Sequence, residues 1–156
     1  MFKTGDEAVR WIHSRKKFGS RPGLIRVNEL LKLCGHPEKN SIGIHIAGTN
    51  GKGSTVTYLR CLLEMQKLAV GTFTSPYIES FYERISINGK AISAEEFVQL
   101  ANEFRPLVDS MDEDTRYQGI TEFEILTAMA FSYFQKHADI AIFEAGIGGK
   151  WDSTNV

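Results

Sequence analysis

A lysine set between two glycines and followed by two hydroxyl residues, Gly51-Lys52-Gly53-Ser54-Thr55, is the stretch of this sequence best equipped for chemistry. With Gly48, Thr49 and Asn50 ahead of it, it reads as a glycine-rich turn. Backbone N–H groups in such a turn can converge on phosphate oxygens, and Lys52 adds a full positive charge. Ser54 and Thr55 offer hydroxyls where a magnesium ion bound to those phosphates would sit. The usual phosphate loop is G-x-x-x-x-G-K-[ST], and this sequence departs from it twice: Ile46 stands at the first glycine, and Gly53 separates Lys52 from Ser54. A bland turn has no use for a lysine between two glycines, so the stretch reads as a variant phosphate loop.

Two further groups could serve the same chemistry. Glu144 closes the apolar run Ile140-Ala141-Ile142-Phe143. An acid at the carboxyl end of a buried parallel strand can face the magnesium of such a loop. Ser75 lies in Thr74-Ser75-Pro76-Tyr77, where Pro76 stops the preceding strand from continuing. The chain must turn there, at the carboxyl end of a strand, which is where open α/β sheets bind ligands. Among His13, His36, His45 and His137 no pair has metal-ligand spacing, and they read as core or surface residues. Cys34 and Cys61 lack CxxC spacing and read as buried free thiols within helices.

The elements that must position these groups follow from periodicity and caps. Ile42 to Ala47 reads as a buried strand before the loop, and Val56 to Met65 as a helix after it. Capping boxes at Thr4/Glu7, Ser93/Glu96 and Thr121/Glu124 start helices expected to run to about Ser14, Asp109 and His137, with Pro106 kinking or shortening the second. Leu24, Val27, Leu30, Leu31 and Cys34 carry the period of another helix, stopped by Gly35-His36-Pro37. Phe18 to Gly23 and Met111 to Gly119 read as loops. Leu68 to Phe73 reads as a second strand, and Arg84 to Ile92 as a small β-hairpin turning at Asn88-Gly89. Asp139 to Glu144 reads as a parallel strand covered on both faces.

Composition narrows the class. The 156 residues, 42% of them hydrophobic, suffice for one domain with a real core. A net charge of −1, with lysines and arginines scattered, argues against nucleic acid as a partner. No apolar run approaches the roughly 18 residues of a membrane helix. The first residues are charged and lack a signal core, so a soluble, cytoplasmic protein is expected.

Taken together, the variant loop with its extra Gly53, the Thr-Ser-Pro at 74 to 76, and Glu-Ala-Gly-Ile-Gly-Gly at 144 to 149 followed by Asp152, Thr154 and Asn155 resemble the folylpolyglutamate synthase/dihydrofolate synthase family, a branch of the Mur ligases. The likeness extends from Lys-Phe-Gly-Ser-Arg-Pro-Gly-Leu at 17 to 24 through Val156. It implies a P-loop NTPase-like three-layer α/β fold with a mainly parallel sheet. It also implies an ATP- and Mg2+-dependent ligase that activates the carboxylate of a folate or dihydropteroate as an acyl phosphate and joins it to L-glutamate. On that resemblance Thr49, Asn50, Gly51, Lys52, Gly53, Ser54 and Thr55 hold the nucleotide, with Lys52 and Glu144 catalytic and Ser54, Ser75 and Glu144 on the metal. Leu24, Tyr77, Arg84, Thr121, Glu122, Phe123, Asp152 and Ser153 would line the folate site, with Tyr77 and Arg84 on a mobile covering loop. Tyr77 stands where many members carry histidine.

The resemblance further implies parts that these residues do not include: a histidine and a carbamylated lysine, further strands, and a second domain helping to hold ATP and glutamate. The expectation is therefore an incomplete ligase domain from a larger, monomeric protein, unable to catalyse ligation by itself and prone to self-associate through an uncovered sheet edge. Rival readings are a Mur-type amino acid ligase, a small-molecule kinase on the same loop, and a nucleotide-binding module without catalysis.

Overall fold

Alternation along the apolar run that ends at Glu144 divides the molecule into two faces. In the computed structural model, which describes residues 1–15 and 23–156, this run is a strand flanked on both sides. The sheet comprises β1 (Gly43–Ile46), β2 (Val70–Phe73), β3 (Ile85–Ile87), β4 (Lys90–Ala91) and β5 (Ile140–Glu144), in the spatial order β1-β5-β2-β3-β4. β1, β5 and β2 are parallel; the β3–β4 hairpin extends the sheet in antiparallel fashion, with β3 paired to β2. Ile140 and Ile142 face Val56, Leu59, Leu63 and Val70 on one side of the sheet. Ala141 and Phe143 face the larger core on the other.

The first face is covered by α3 (Lys52–Glu64). The second is covered by α5 (Glu122–His137), backed by α1 (Gly5–His13), α2 (Ile25–Leu33) and α4 (Ala94–Glu113). This is the three-layer, mainly parallel α/β arrangement expected of a P-loop NTPase-like fold, with the hairpin after the second strand. All three expected capping boxes form, at Thr4, Ser93 and Thr121. Behind Thr121, Ile120 and Ile125 are fully buried as a hydrophobic staple, and α5 is buried nearly all round. Its close approach to the sheet depends on Gly71, where a Cβ would come within 2.6 Å of the Phe134 ring.

Four expectations need correction. β1 is not a buried strand: it is half-exposed, and Ile42 before it is 68% exposed, because the described residues place no strand on its outer side. The loop helix starts at Lys52 rather than Val56, since Gly51 takes the left-handed cap conformation at φ 76°. α4 runs through Pro106 to Glu113, taking in Met111 from the expected loop. Burial of Val108 and Met111 beyond the proline contributes about 1.5–3 kcal/mol each, enough to offset the roughly 3 kcal/mol that an interior proline costs. Finally, Cys61 is exposed and Cys34 half-buried. Cys61 shares the outer surface of α3 with Tyr58, Leu62 and Met65, which lie away from the sheet. The expected loop at Phe18 to Gly23 falls, apart from Gly23, outside the described residues, as does most of the 17 to 24 motif.

Candidate functional site

The carboxyl ends of β1, β2 and β5 bring the phosphate loop, Ser75 and Glu144 to one edge of the sheet. Parallel register sets Ile46 opposite Glu144 and Phe73 opposite Phe143. Ala145 then donates its N–H to the Ile46 carbonyl, so the segments leaving β1 and β5 stay together beyond the last paired residues.

The loop has the features of an anion site. Gly48 (φ 154°) and Gly51 (φ 76°) hold backbone conformations that side chains disfavour. The helix they lead into, α3, has no side-chain cap and no acid in its first turn, whereas α1, α4 and α5 carry both. Its first intrahelical bond is Thr55 N–H to Gly51 C=O, which leaves the N–H groups before Thr55 free of helical partners. Lys52 lies across the loop, its Nζ donating to the Gly48 carbonyl at 3.0 Å. Gly53 has open space around the position a Cβ would occupy, so the fold does not require glycine there. Thr55 turns its hydroxyl to the Gly51 carbonyl at 2.9 Å, leaving Ser54 as the first-turn hydroxyl that can face a ligand.

Glu144 is 6% exposed and accepts the Ser75 N–H at 3.1 Å. Among the described residues no cationic side chain pairs with it. A buried carboxylate in that state calls for a cation. No cluster of three His, Cys, Asp or Glu occurs among the described residues, so any ion here relies on one carboxylate, hydroxyls and the ligand's own oxygens. That donor set suits Mg2+, which keeps several waters and is commonly held by one or two carboxylates and substrate phosphates.

Beside this edge opens a cavity of about 560 Å³. Ser75, Tyr77, Arg84, Thr121, Glu122, Phe123, Asp152 and Ser153 all line it, although they lie in three separate parts of the chain. Leu24 does not: it precedes α2 and packs against the core, while Gly23 and Arg26 face the cavity. Arg84 ends a short 3-10 turn, Phe81–Arg84, rather than sitting on an open loop. Its guanidinium lies 5.2 Å from the Tyr77 ring centroid and 5.7 Å from that of Phe81, and 3.6 Å from Glu122. Burial pulls its pKa below the ordinary arginine value, with Glu122 and Tyr77 acting in the opposite direction. Arg84 Nε is buried without a partner among the described residues. The loop carrying Tyr77 is gathered by Glu83, whose carboxylate accepts the N–H groups of Ile78, Glu79 and Ser80. Gly146 lets Phe123 pack on the turn after β5, since a Cβ there would meet the ring at 2.8 Å.

Sequence reasoning missed several residues of this wall. His13, at the end of α1, places Nδ1 3.2 Å from Glu122 Oε2. Arg26 and Glu124 form a buried two-point pair, with Nη2–Oε1 and Nε–Oε2 both at 3.1 Å. Glu124 was legible as a cap, and it does accept the Thr121 N–H at 2.8 Å, but nothing local points to its arginine partner. Trp151 also lines the cavity.

Fold and loop together define a P-loop NTPase-like α/β unit with a second, adjoining cavity. No protein-family model matches the chain, but individual proteins do. It is 52% identical over 158 residues to the dihydrofolate synthase/folylpolyglutamate synthase of Bacillus subtilis, covering 100% of this chain and 36% of that protein. It is 38% identical to the folylpolyglutamate synthase of Lacticaseibacillus casei, over 96% of this chain and 35% of that protein. The folylpolyglutamate synthase of Thermotoga maritima superposes with a TM-score of 0.90 at 38% identity, over 97% of this chain and 35% of that one. A folylpolyglutamate synthase complex with AMPPCP and folate gives a TM-score of 0.91 at 38% identity, over 97% of this chain and 37% of that one. The chain belongs to the folylpolyglutamate synthase/dihydrofolate synthase family and spans about a third of the length of these relatives.

Proposed function

We propose that residues 1–156 supply the nucleotide loop and acceptor pocket of an ATP-dependent ligase joining L-glutamate to a folate or dihydropteroate carboxylate. The observation that carries this reading is the position of Ser75. It lines the 560 Å³ cavity and also donates its N–H to Glu144 beside the phosphate loop. An acceptor held in the cavity can thus present a carboxylate to a nucleotide held at the loop. The relative bound to AMPPCP and folate lends support.

In this reading the free N–H groups around Gly51 to Ser54, with Lys52, hold the phosphates and offset charge on the transferring group. Ser54, Ser75 and Glu144 would hold Mg2+, which when bound neutralises phosphate charge and orients the oxygens. An oxygen of the acceptor carboxylate attacks the γ-phosphorus and ADP leaves. The glutamate amine then attacks the acyl carbon, phosphate departs, and the amine loses a proton to give the amide. Arg84, Glu122, Phe123 and Asp152 contribute by binding and aligning the acceptor, which lowers the barrier by proximity.

Trp151 lies in the cavity wall, so its fluorescence, read in a Trp11→Phe background, should respond to a ligand bound there. Titration should show saturable binding of both MgATP and folate. Binding of MgATP with no saturable folate response would reject the ligase reading and favour another user of the same loop.

A further inference from the structure

His45 lies in β1, three positions before Gly48 and paired in register with Phe143, where it is half-buried between two isoleucines. A polar ring there has no packing advantage over an apolar strand residue. Its Nε2 lies 2.8 Å from Thr154 Oγ1, and Thr154 Oγ1 lies 2.5 Å from Asp152 Oδ1.

The direction of these bonds follows from donor and acceptor counts. Thr154 and Asp152 are each 5% exposed. An ionised carboxylate only accepts, so the one hydroxyl proton of Thr154 lies on the bond to Asp152. Thr154 Oγ1 must then accept from His45, which requires the proton on Nε2. Asp152 receives two more bonds, from the Thr154 N–H at 3.0 Å to Oδ1 and from the Ile147 N–H at 2.8 Å to Oδ2.

These contacts matter because the segment 146–155 has no helix or strand of its own and contains three glycines. Its other hydrogen bonds, Asp152 N–H to Gly149, Asn155 N–H to Asp152 and Asn155 Nδ2 to Lys150, stay within the segment. Among the described residues, His45 to Thr154 is the side-chain hydrogen bond that ties it to the sheet. Asp152 in turn lines the cavity.

We propose that His45 is a positioning residue: as an Nε2–H donor it anchors Thr154 and, through it, fixes the Asp152 carboxylate in the acceptor pocket. The proposal rests on the reading of that cavity as the folate site. It assigns a task to a strand residue that does not itself line that cavity. It also ties the acceptor wall to the strand that leads into the phosphate loop.

The test compares His45→Leu, which removes the bond to Thr154, and Thr154→Val, which removes the hydroxyl's bonds to both His45 and Asp152, with His45→Gln, which restores an N–H donor. Folate binding is read from Trp151 fluorescence, MgATP binding is titrated in parallel, and folding is followed by thermal unfolding. His45→Leu and Thr154→Val should weaken folate binding about tenfold and leave MgATP binding within about twofold, with His45→Gln within about threefold of wild type. Wild-type folate affinity in His45→Leu, or His45→Gln as impaired as His45→Leu, would overturn the proposal while leaving the folate reading intact. A wild-type chain that binds no folate would overturn both. Imidazole nitrogen NMR of the wild-type chain gives a readout independent of any variant's folding. A proton on Nε2 is the expected result, and one confined to Nδ1 overturns the assignment.

Discussion

The backbone N–H of Ser75 donates to Glu144 Oε2 at 3.1 Å, so the carboxyl ends of β2 and β5 are joined through a carboxylate rather than a backbone bond. The same acid is buried and has no cationic side-chain partner among the described residues. Glu144→Gln keeps an oxygen to accept the Ser75 N–H and removes the charge. Loss of a charge-assisted contact of about 1.5–3 kcal/mol should erase roughly 10- to 100-fold of the gain in ATP affinity that Mg2+ provides. Titrating ATP with and without Mg2+ checks this. The melting temperature should hold or rise, because a buried charge has been removed.

Lys52 spans its own loop to the Gly48 carbonyl, a bond that a bound phosphate would replace. Lys52→Ala should therefore weaken ATP binding by about 10- to 100-fold, the worth of one charge-assisted contact. Stability should change by less than about 0.5 kcal/mol, as for a surface substitution at a good helix position. Parallel nucleotide titration and urea unfolding separate the two effects.

Much of this site was readable because its signals are local. A glycine-flanked lysine, a serine before a proline at a strand end, and three capping boxes each depend on residues within a few positions of one another. The structure forms all three boxes and brings Ser75, Tyr77 and Arg84, the Thr121 cap with Glu122 and Phe123, and Asp152 with Ser153 around one cavity, with the glycine-flanked lysine at the neighbouring strand ends. What could not be read were the long-range partners. His13 meets Glu122 and Arg26 meets Glu124 across 109 and 98 positions, pairings that only the packing of α1 and α2 on α5 creates. The exposure of β1 and Cys61 likewise depends on which faces receive neighbours. Pro106 shows local propensity overridden by burial of the residues after it.

Gly71 lies in β2 directly under Phe134 of α5, and a methyl group there would sit 2.6 Å from the ring. Gly71→Ala forces the helix away from a close-packed sheet. Overpacking of this kind costs about 1–3 kcal/mol, and urea unfolding should show it as a lower midpoint with little change in slope. The phosphate loop lies on the strand ends rather than under α5, so ATP affinity of the folded protein should be unchanged.

Glu83 holds the loop that carries Tyr77. Hydrogen bonds from the Ile78, Glu79 and Ser80 N–H groups keep its carboxyl below the usual glutamate value of 4.5, with Ile78 the largest contributor. The folded form thus favours the ionised acid. Its contribution is present in full above pH 4.5 and is lost as pH falls through the lowered value. Protection of those three amides from hydrogen exchange should therefore fall on acidification below 4.5. In Glu83→Gln the acid-dependent part should vanish, with protection low throughout.

Arg26 and Glu124 place a paired charge in the cavity wall, 7% and 3% exposed. Glu124 also caps α5 through Thr121, so the two residues contribute unequally. Arg26→Met strands a buried carboxylate and should cost about 3–5 kcal/mol. Adding Glu124→Gln removes the stranded charge yet retains an oxygen for the Thr121 N–H, so the double variant should recover most of that loss. Glu124→Gln alone removes the negative charge of the pair and should fall between wild type and Arg26→Met. A double-mutant cycle in urea measures the coupling. Near-additive single losses would mean that the two side chains act independently, and recovery in the double variant would identify the pair as one unit of the wall.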